Sequence, residues 1–365
     1  TLCIFSPCVR QFLDRMDAYS TPIRIPTITS MNSSASTLPR KKLPIGIQTF
    51  AKIREDGCYY VDKTGIAVNL VASGSHYFLS RPRRFGKSLF LDTLKELFEG
   101  NRPLFEGLAA ESRWDWSKKF PVITINFGDG VLRNRVELDQ RIEEILLDHE
   151  RALGVQSIHH SISGRFANLI RQAHRSTGQR AVVLVDEYDK PILDNITDSA
   201  AALEMRQGLK NLYSVIKGAD AHLKFAFLTG VSKFSKVSLF SDLNNLTDIT
   251  LHKRYSTICG YTDADVDTVF APELPGLDRQ EIQRWYNGYN WLGDSVYNPF
   301  DVLLLLDQRE FRPYWFETGT PSFLIKLLME RQQFTPDLNR IVAADTLLST
   351  FDVDNTPVES LLWQT

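Results

Sequence analysis

The segment that most constrains this chain is FLSRPRRFGKSLFLDTL, residues 78–94. Its first residues are apolar and indicate a short strand, and a basic loop follows. Apolar residues at helical spacing then predict an amphipathic helix that opens at Gly86-Lys87-Ser88. Backbone N–H groups at a helix N-terminus favour anions, a lysine there can reach terminal phosphates, and a neighbouring hydroxyl can hold Mg²⁺. The segment therefore indicates a loop that cradles nucleotide phosphates.

One position of this loop departs from the standard pattern. A glycine is expected five residues before the glycine of GKS, and this chain has Arg81 there. A side chain at that position should restrict the approach of the backbone to a ligand. The loop alone does not decide the function, so a second element is needed.

The second element is AVVLVDE, residues 181–187. A continuous run rich in valine predicts a strand buried on both faces, as in a parallel sheet, and open sheets of this kind bind ligands at the carboxyl ends of their strands. We expect Asp186 to join the magnesium shell and Glu187 to orient an attacking water. A buried strand that runs into an acidic turn is the simpler alternative, but the two motifs in this order favour a Mg-nucleotide site.

The remaining candidate residues come from the loop and from one further strand. Arg83 and Arg84 could cover the phosphates, although a solvated basic turn is as good an explanation of either one. Thr229 ends the apolar run LKFAFLTG, where it could sense a γ-phosphate or simply form a turn. The predicted nucleotide-binding residues are Arg83, Arg84, Phe85, Gly86, Lys87, Ser88 and Leu89; the metal ligands are Ser88 and Asp186; the catalytic residues are Glu187 and Thr229.

Other polar and aromatic residues near these motifs carry weaker predictions. Ser232 and Lys233 could approach the same cleft, whereas Asp189 and Lys190 are expected to form a surface ion pair. The segment WYNGYNW, residues 285–291, could stack on a base or on a nucleic-acid strand, but a core or turn role is favoured because no basic residues are interleaved with its rings.

Composition places limits on partners and compartment. The net charge of −2 gives no bulk attraction to nucleic acid or membrane, so direct nucleic-acid binding is possible but unsupported. No window approaches the ~20 apolar residues of a membrane span. The cysteines at positions 3, 8, 58 and 259 form no metal or disulfide pattern. That usage is typical of a reducing compartment, and we expect a cytoplasmic protein.

Strands that alternate with helices predict an α/β fold, a doubly wound and mostly parallel sheet of the P-loop NTPase type. We expect a disordered or spurious extension over 1–42, with Met31 as the natural start or an organelle transit peptide as the alternative. An ATPase-like α/β domain should span 43–259, a helical lid 260–350, and a truncated or frayed tail 351–365.

Several segments together resemble the AAA-ATPase-like proteins, a P-loop family often fused to a PD-(D/E)XK-type nuclease domain. They are LPIGIQTFAKIREDGCYYVDKT, RPRRFGKS, AVVLVDEYDKPI, FAFLTGVSKFSKVSLFSDLNNLTDIT, WYNGYNW with VYNPFDVLLLL, and YWFETGTPSFLIKLL. The family tolerates arginine where the standard loop has glycine. The resemblance implies that Lys87 and Ser88 bind phosphates and Mg²⁺, and that Asp186 and Glu187 form the acidic strand end. No nuclease segment is visible.

These observations predict an ATP-binding protein that hydrolyses ATP with Mg²⁺ (Walker A and Walker B motifs). Two alternatives stay open. One is a nucleotide-gated switch or scaffold with little turnover that recruits a protein partner or a nuclease. The other is a small-molecule kinase, for which no acceptor pocket is evident. The sequence does not separate ATP from GTP, because it has no base-reading motif such as NKxD.

Overall fold

The structure is a computed structural model, and it describes residues 39–232, 239 and 245–314. The predictions for Met31, Lys233, the end of the lid and the tail lie outside these residues. The strands are β1 (His76–Ser80), β2 (Val122–Asn126), β3 (Ala181–Asp186), β4 (Leu223–Gly230), β5 (Thr247–Asp248), β6 (Asn287–Tyr289) and β7 (Val296–Tyr297). The α-helices are α1 (Phe50–Glu55), α2 (Thr64–Ser73), α3 (Lys87–Glu99), α4 (Arg135–Ala152), α5 (Ile162–Thr177), α6 (Lys190–Leu193), α7 (Ser199–Gly218), α8 (Asp263–Val269), α9 (Arg279–Tyr286) and α10 (Pro299–Gln308).

Five strands form one sheet in the order β2-β3-β4-β1-β5, and every pairing between neighbours is parallel. The α/β, mostly parallel prediction is confirmed. Strand β4 lies between β1, which leads into the phosphate loop, and β3, which ends at Asp186. Neighbouring strands are about 4.8 Å apart, so the two motifs emerge roughly 10 Å apart at the same edge.

Both faces of the sheet are covered, as the apolar run in β3 predicts. Val183 and Val185 face a core built mainly with α4, α5 and α7, whereas Val182 and Leu184 face a second core that includes α3. The alternation follows from the two-residue period of a strand. A third core joins the segment before α2 to the chain after residue 261, through residues such as Tyr59 and Tyr286. This packing brings both ends of the described chain to the sheet edge that carries the motifs.

Local features of the helices and of the region after 260 complete the fold. Asp198 caps α7, and its carboxylate accepts from the N–H groups of Ala200 and Ala201. The region after 260 is not purely helical, because β6 and β7 pair antiparallel there. Finally, no helix within the described ranges combines the length and apolar character needed to cross a bilayer.

Candidate functional site

The phosphate loop connects β1 to α3 through a backbone that two residues bend into the left-handed region. Arg84 has φ +66° and Gly86 has φ +90°. Gly86 is also the N-cap of α3, and a Cβ added there would meet nothing within 4 Å, so its conformation rather than space favours glycine. The first N–H groups of α3 have no acceptor within the helix and face the preceding loop, as an anion site requires.

Lys87 is buried although it carries a charge, with 5% of its surface exposed. Its Nζ donates to the carbonyl oxygens of Arg81 and Pro82, each at 3.1 Å. The ammonium group thus lies inside the curve of the loop. A phosphate oxygen that entered the loop could replace these two carbonyl acceptors.

Two loop residues turn away from this concave side. Arg81 is 1% exposed, and its guanidinium donates to the carbonyls of Ser80 and Thr250 at 2.9 Å and of Tyr255 at 3.2 Å. Burial lowers the pKa of Arg81 to about 10, so it remains a cation at neutral pH. Phe85, one of the predicted nucleotide-binding residues, is buried with its ring centroid 4.7 Å from that of Tyr289.

Asp186 lies at the carboxyl end of β3 and is 4% exposed. Burial raises its pKa, as does the neighbouring charge of Glu187, while a hydrogen bond from the Ser88 side chain and the charge of Lys87 lower it. The Ser88 hydroxyl and the Asp186 carboxylate line the same cleft at this edge of the sheet. A buried carboxylate with a raised pKa next to a hydroxyl suits a divalent cation, whose charge would favour the ionised form.

Glu187 follows in an unusual backbone conformation, with φ +51°. Such conformations cost about 1–3 kcal/mol for a non-glycine residue and persist where the surroundings impose them. The next two residues restrain the backbone of Glu187. The N–H of Tyr188 donates to the carbonyl of Thr229 at 3.1 Å, and Asp189 is fully buried.

Asp189 holds this acidic turn against the end of β4. Its carboxylate accepts from the N–H of Val231 at 3.3 Å, and from the N–H and hydroxyl of Ser232 at 2.7 and 2.5 Å. Burial and the charge of Glu187 raise its pKa to about 6, against the effect of these hydrogen bonds. The expected surface ion pair with Lys190 does not form, because Lys190 pairs with Asp194 instead.

Thr229 is fully buried, and its hydroxyl donates to the carbonyl of Leu79 in the neighbouring strand at 3.0 Å. Next to it, Gly230 lies so close to the acidic turn that an added Cβ would be 2.3 Å from Asp189 Oδ1 and 2.5 Å from the Tyr188 ring. The end of β4 therefore packs closely against the turn that carries Glu187.

A cleft of about 410 Å³ opens between the loop and the acidic turn, a volume in the range of small-molecule sites. Its polar wall contains Lys87, Ser88, Asp186 and Glu187. Of the seven predicted nucleotide-binding residues, Phe85 is the one that does not line it. In the described part of the chain, no group of three or more His, Cys, Asp or Glu side chains is placed to hold a metal ion.

The opposite wall of the cleft is largely apolar and was not predicted. It comes from two segments distant in sequence, Pro44 and Ile47 near the N-terminal end, and Pro299, Phe300 and Leu303 at the start of α10. The guanidinium of Arg84 lies 4.9 Å from the centre of the Phe300 ring. These residues carry no local sequence signal of a site, because their proximity to the loop results from the third core.

A parallel sheet with a phosphate-type loop and an acidic strand end beside one cleft defines the class of P-loop-like α/β proteins. Comparison with known proteins agrees: the family model described as "Predicted AAA-ATPase" matches residues 44–240. The chain belongs to this AAA-ATPase-like family, as its motifs predict. The family supports nucleotide binding and an ATPase-like function.

The chain is also similar to a curated protein from Azotobacter chroococcum mcd 1, described as "Uncharacterized protein in vnfD 5'region". The two are 64% identical over 328 residues, which cover 90% of this chain and 64% of that protein. The chain therefore spans somewhat less than two thirds of the relative's length.

Proposed function

We propose that this protein is a Mg²⁺-dependent ATPase that binds ATP in the cleft between the phosphate loop and the acidic turn. The observation that carries the proposal is that Lys87, Ser88, Asp186 and Glu187 all line one cleft at the carboxyl edge of the sheet. An ammonium, a hydroxyl and two carboxylates thus converge on one space. A triphosphate needs this set of groups.

Each group has one task in this proposal. Lys87 and the first N–H groups of α3 hold the β- and γ-phosphates, and the Ser88 hydroxyl and Asp186 hold the magnesium ion. When bound, that ion neutralises charge on the phosphate oxygens. Glu187 orients the attacking water and accepts its proton. The apolar wall of Ile47 and Phe300 excludes water from the nucleotide.

Thr229 has a conditional part in the proposal. It can sense the γ-phosphate only if its hydroxyl leaves the carbonyl of Leu79, 3.0 Å away in this structure. Thr229→Val keeps the shape and removes the hydroxyl. A fall in kcat beyond tenfold in a stably folded variant would support the sensing role, whereas an unchanged kcat would assign the hydroxyl to the sheet alone.

Phosphate release by the wild type and by Glu187→Gln tests the proposal, and Glu204→Gln on the exposed side of α7 is a matched control. We expect Glu187→Gln to lower kcat about 100-fold while nucleotide affinity stays within threefold, and the control to behave as the wild type. Equal background rates in wild type and Glu187→Gln, with nucleotide bound, would contradict hydrolysis and favour the switch or scaffold. Parallel titrations with ATP and GTP show whether the site prefers adenine or guanine nucleotides.

A further inference from the structure

The side of the phosphate loop that faces away from the cleft has its own set of contacts. Arg81 stands where the standard loop has glycine, and its guanidinium carbon lies 4.0 Å from the centre of the Trp291 ring. Phe85, four residues further along the loop, lies 5.2 Å from the same ring, edge to face. Trp291 is itself 4% exposed. One aromatic ring from the chain after β6 thus supports both ends of the loop.

The hydrogen bonds of Arg81 extend this support to a third segment. Two of its three carbonyl acceptors, Thr250 and Tyr255, lie just after β5. Thr250 also holds the last residue of β1, because its Oγ1 accepts from the N–H of Ser80 at 3.0 Å. The arginine side chain therefore ties the start of the loop to the edge of the sheet. Its own main-chain carbonyl is one of the two acceptors of Lys87.

A glycine at position 81 could make none of the contacts of the Arg81 side chain. It would leave the carbonyls of Thr250 and Tyr255 without this donor and a gap beside Trp291, in a region from which water is excluded. Unpaired buried acceptors and lost packing both destabilise the local conformation. The departure from the standard pattern is thus balanced by contacts that only this side chain supplies.

We propose that Arg81 and Trp291 are positioning residues that hold the phosphate loop in its nucleotide-binding conformation, and that they couple the loop to the hairpin β6–β7. The inference rests on the proposed function, since it concerns how the same site binds a nucleotide. Neither residue touches the ligand. Their contribution is to fix the backbone from which Lys87 and the first N–H groups of α3 reach the phosphates. Nucleotide in the cleft should in turn restrain the hairpin.

The proposal makes a counterintuitive prediction about Arg81→Gly, which restores the standard loop pattern. We expect this variant to bind MgATP more than fivefold more weakly than the wild type in calorimetry, and Arg81→Lys to recover part of the loss. Arg54→Ala is the matched control, because the Arg54 guanidinium also donates to carbonyls of a distant segment but does not line the cleft. Its affinity should stay within twofold of the wild type.

If Arg81→Gly does not fold, Trp291→Phe tests the positioning role instead, because phenylalanine keeps an aromatic ring in the core. Its affinity for MgATP should also fall more than fivefold, with kcat at saturation within twofold. A smaller loss of affinity in a folded Arg81→Gly, or in Trp291→Phe where the former does not fold, would overturn the proposal. So would an equal loss in Arg54→Ala.

Hydrogen exchange gives a readout that a purely structural role would not move. MgATP should slow exchange of the amides of residues 287–297 in the wild type, and this protection should be absent in Trp291→Phe saturated with nucleotide. Protection that is missing in the wild type or unchanged in the variant overturns the coupling. A wild type that binds no nucleotide would instead refute the proposed function, and the two failures are distinguishable.

Discussion

The phosphate loop and the acidic turn leave the same edge of the sheet, but different parts of the chain hold them. The loop depends on remote segments: Arg81 and Phe85 contact Trp291, about 200 residues away in sequence. The acidic turn depends on its neighbour strand, because Asp189 accepts three hydrogen bonds from Val231 and Ser232 at the end of β4. We infer that affinity and turnover can be damaged separately, the first through the loop and the second through the turn.

The largest effect is expected from removal of the ammonium group on the loop side. Lys87→Ala should weaken MgATP binding at least 100-fold, which is about 2.8 kcal/mol of binding free energy. Lys95→Ala, on the same helix but paired with Glu96 and Glu99 outside the cleft, is the control. Calorimetry measures both affinities. If the affinity of Lys87→Ala for MgATP stayed within threefold of the wild type, the loop would not be part of the nucleotide site.

Gly230→Ala should distort the acidic turn and leave the conformation of the phosphate loop unchanged. The added Cβ would overlap Asp189 and Tyr188, so we expect kcat to fall more than tenfold, KM to change less than threefold, and the free energy of unfolding to fall by about 2–3 kcal/mol. Gly218→Ala, where a Cβ meets nothing within 4 Å, is the matched control. A rise in KM with unchanged kcat would show that the two regions are not separable in this way.

Ser232→Ala is a milder change in the same turn. It removes the hydroxyl that donates to Asp189 Oδ2 but leaves the N–H donor in place. Loss of a hydrogen bond to a charged group should lower the free energy of unfolding by about 1–2 kcal/mol and kcat by two- to fivefold. Chemical denaturation and phosphate release measure the two quantities. A variant with unchanged stability would mean that this bond contributes little to the turn.

The smallest expected effect concerns pH. The pKa of Asp189 is raised to about 6 in the folded protein, above the value of about 3.9 in an unfolded chain, so the folded state binds more protons in this window. Its contribution to the free energy of unfolding therefore decreases as pH rises from about 4 to 6. The charge of Glu187 raises the pKa of both Asp189 and Asp186.

Glu187→Gln should consequently gain stability relative to the wild type as pH rises through about 6, by about 1 kcal/mol. Thermal unfolding of both proteins at pH 5 and pH 7.5 measures this difference, and common contributions from other carboxylates cancel in the comparison. A difference that is flat, or that shrinks at higher pH, would contradict the electrostatic account of the turn.

The sequence predicted the parts of the site that depend on local pattern. A glycine-lysine-serine helix start and a buried strand that ends in two carboxylates are short-range signals, and the structure brings both to one cleft. The sequence did not predict the roles of Asp189, Arg81 or Trp291. Their burial depends on packing between segments far apart in sequence. A carboxylate followed by a lysine gives the same local pattern whether it is buried or exposed.

The apolar wall illustrates the same limit. Ile47 and Phe300 have no individual signature of a binding site, and they line the same cleft as Lys87 although about 250 residues separate them in sequence. A core or turn role was favoured for the aromatic segment around Trp291, and Trp285, Tyr286 and Trp291 are buried while Tyr289 is half-buried. Its support of the phosphate loop could not be predicted, because that role depends on which side of the loop Arg81 takes.

The most direct test of the account is calorimetric titration of ATP, with and without Mg²⁺, into the wild type, Lys87→Ala and Asp186→Asn. The account predicts that the wild type binds at least tenfold more tightly with Mg²⁺ and that Asp186→Asn binds ATP but loses this Mg²⁺ dependence. Lys87→Ala should bind at least 100-fold more weakly than the wild type under both conditions. Binding by Lys87→Ala equal to the wild type, or an unchanged Mg²⁺ dependence in Asp186→Asn, would contradict the claim that these two groups act on one triphosphate.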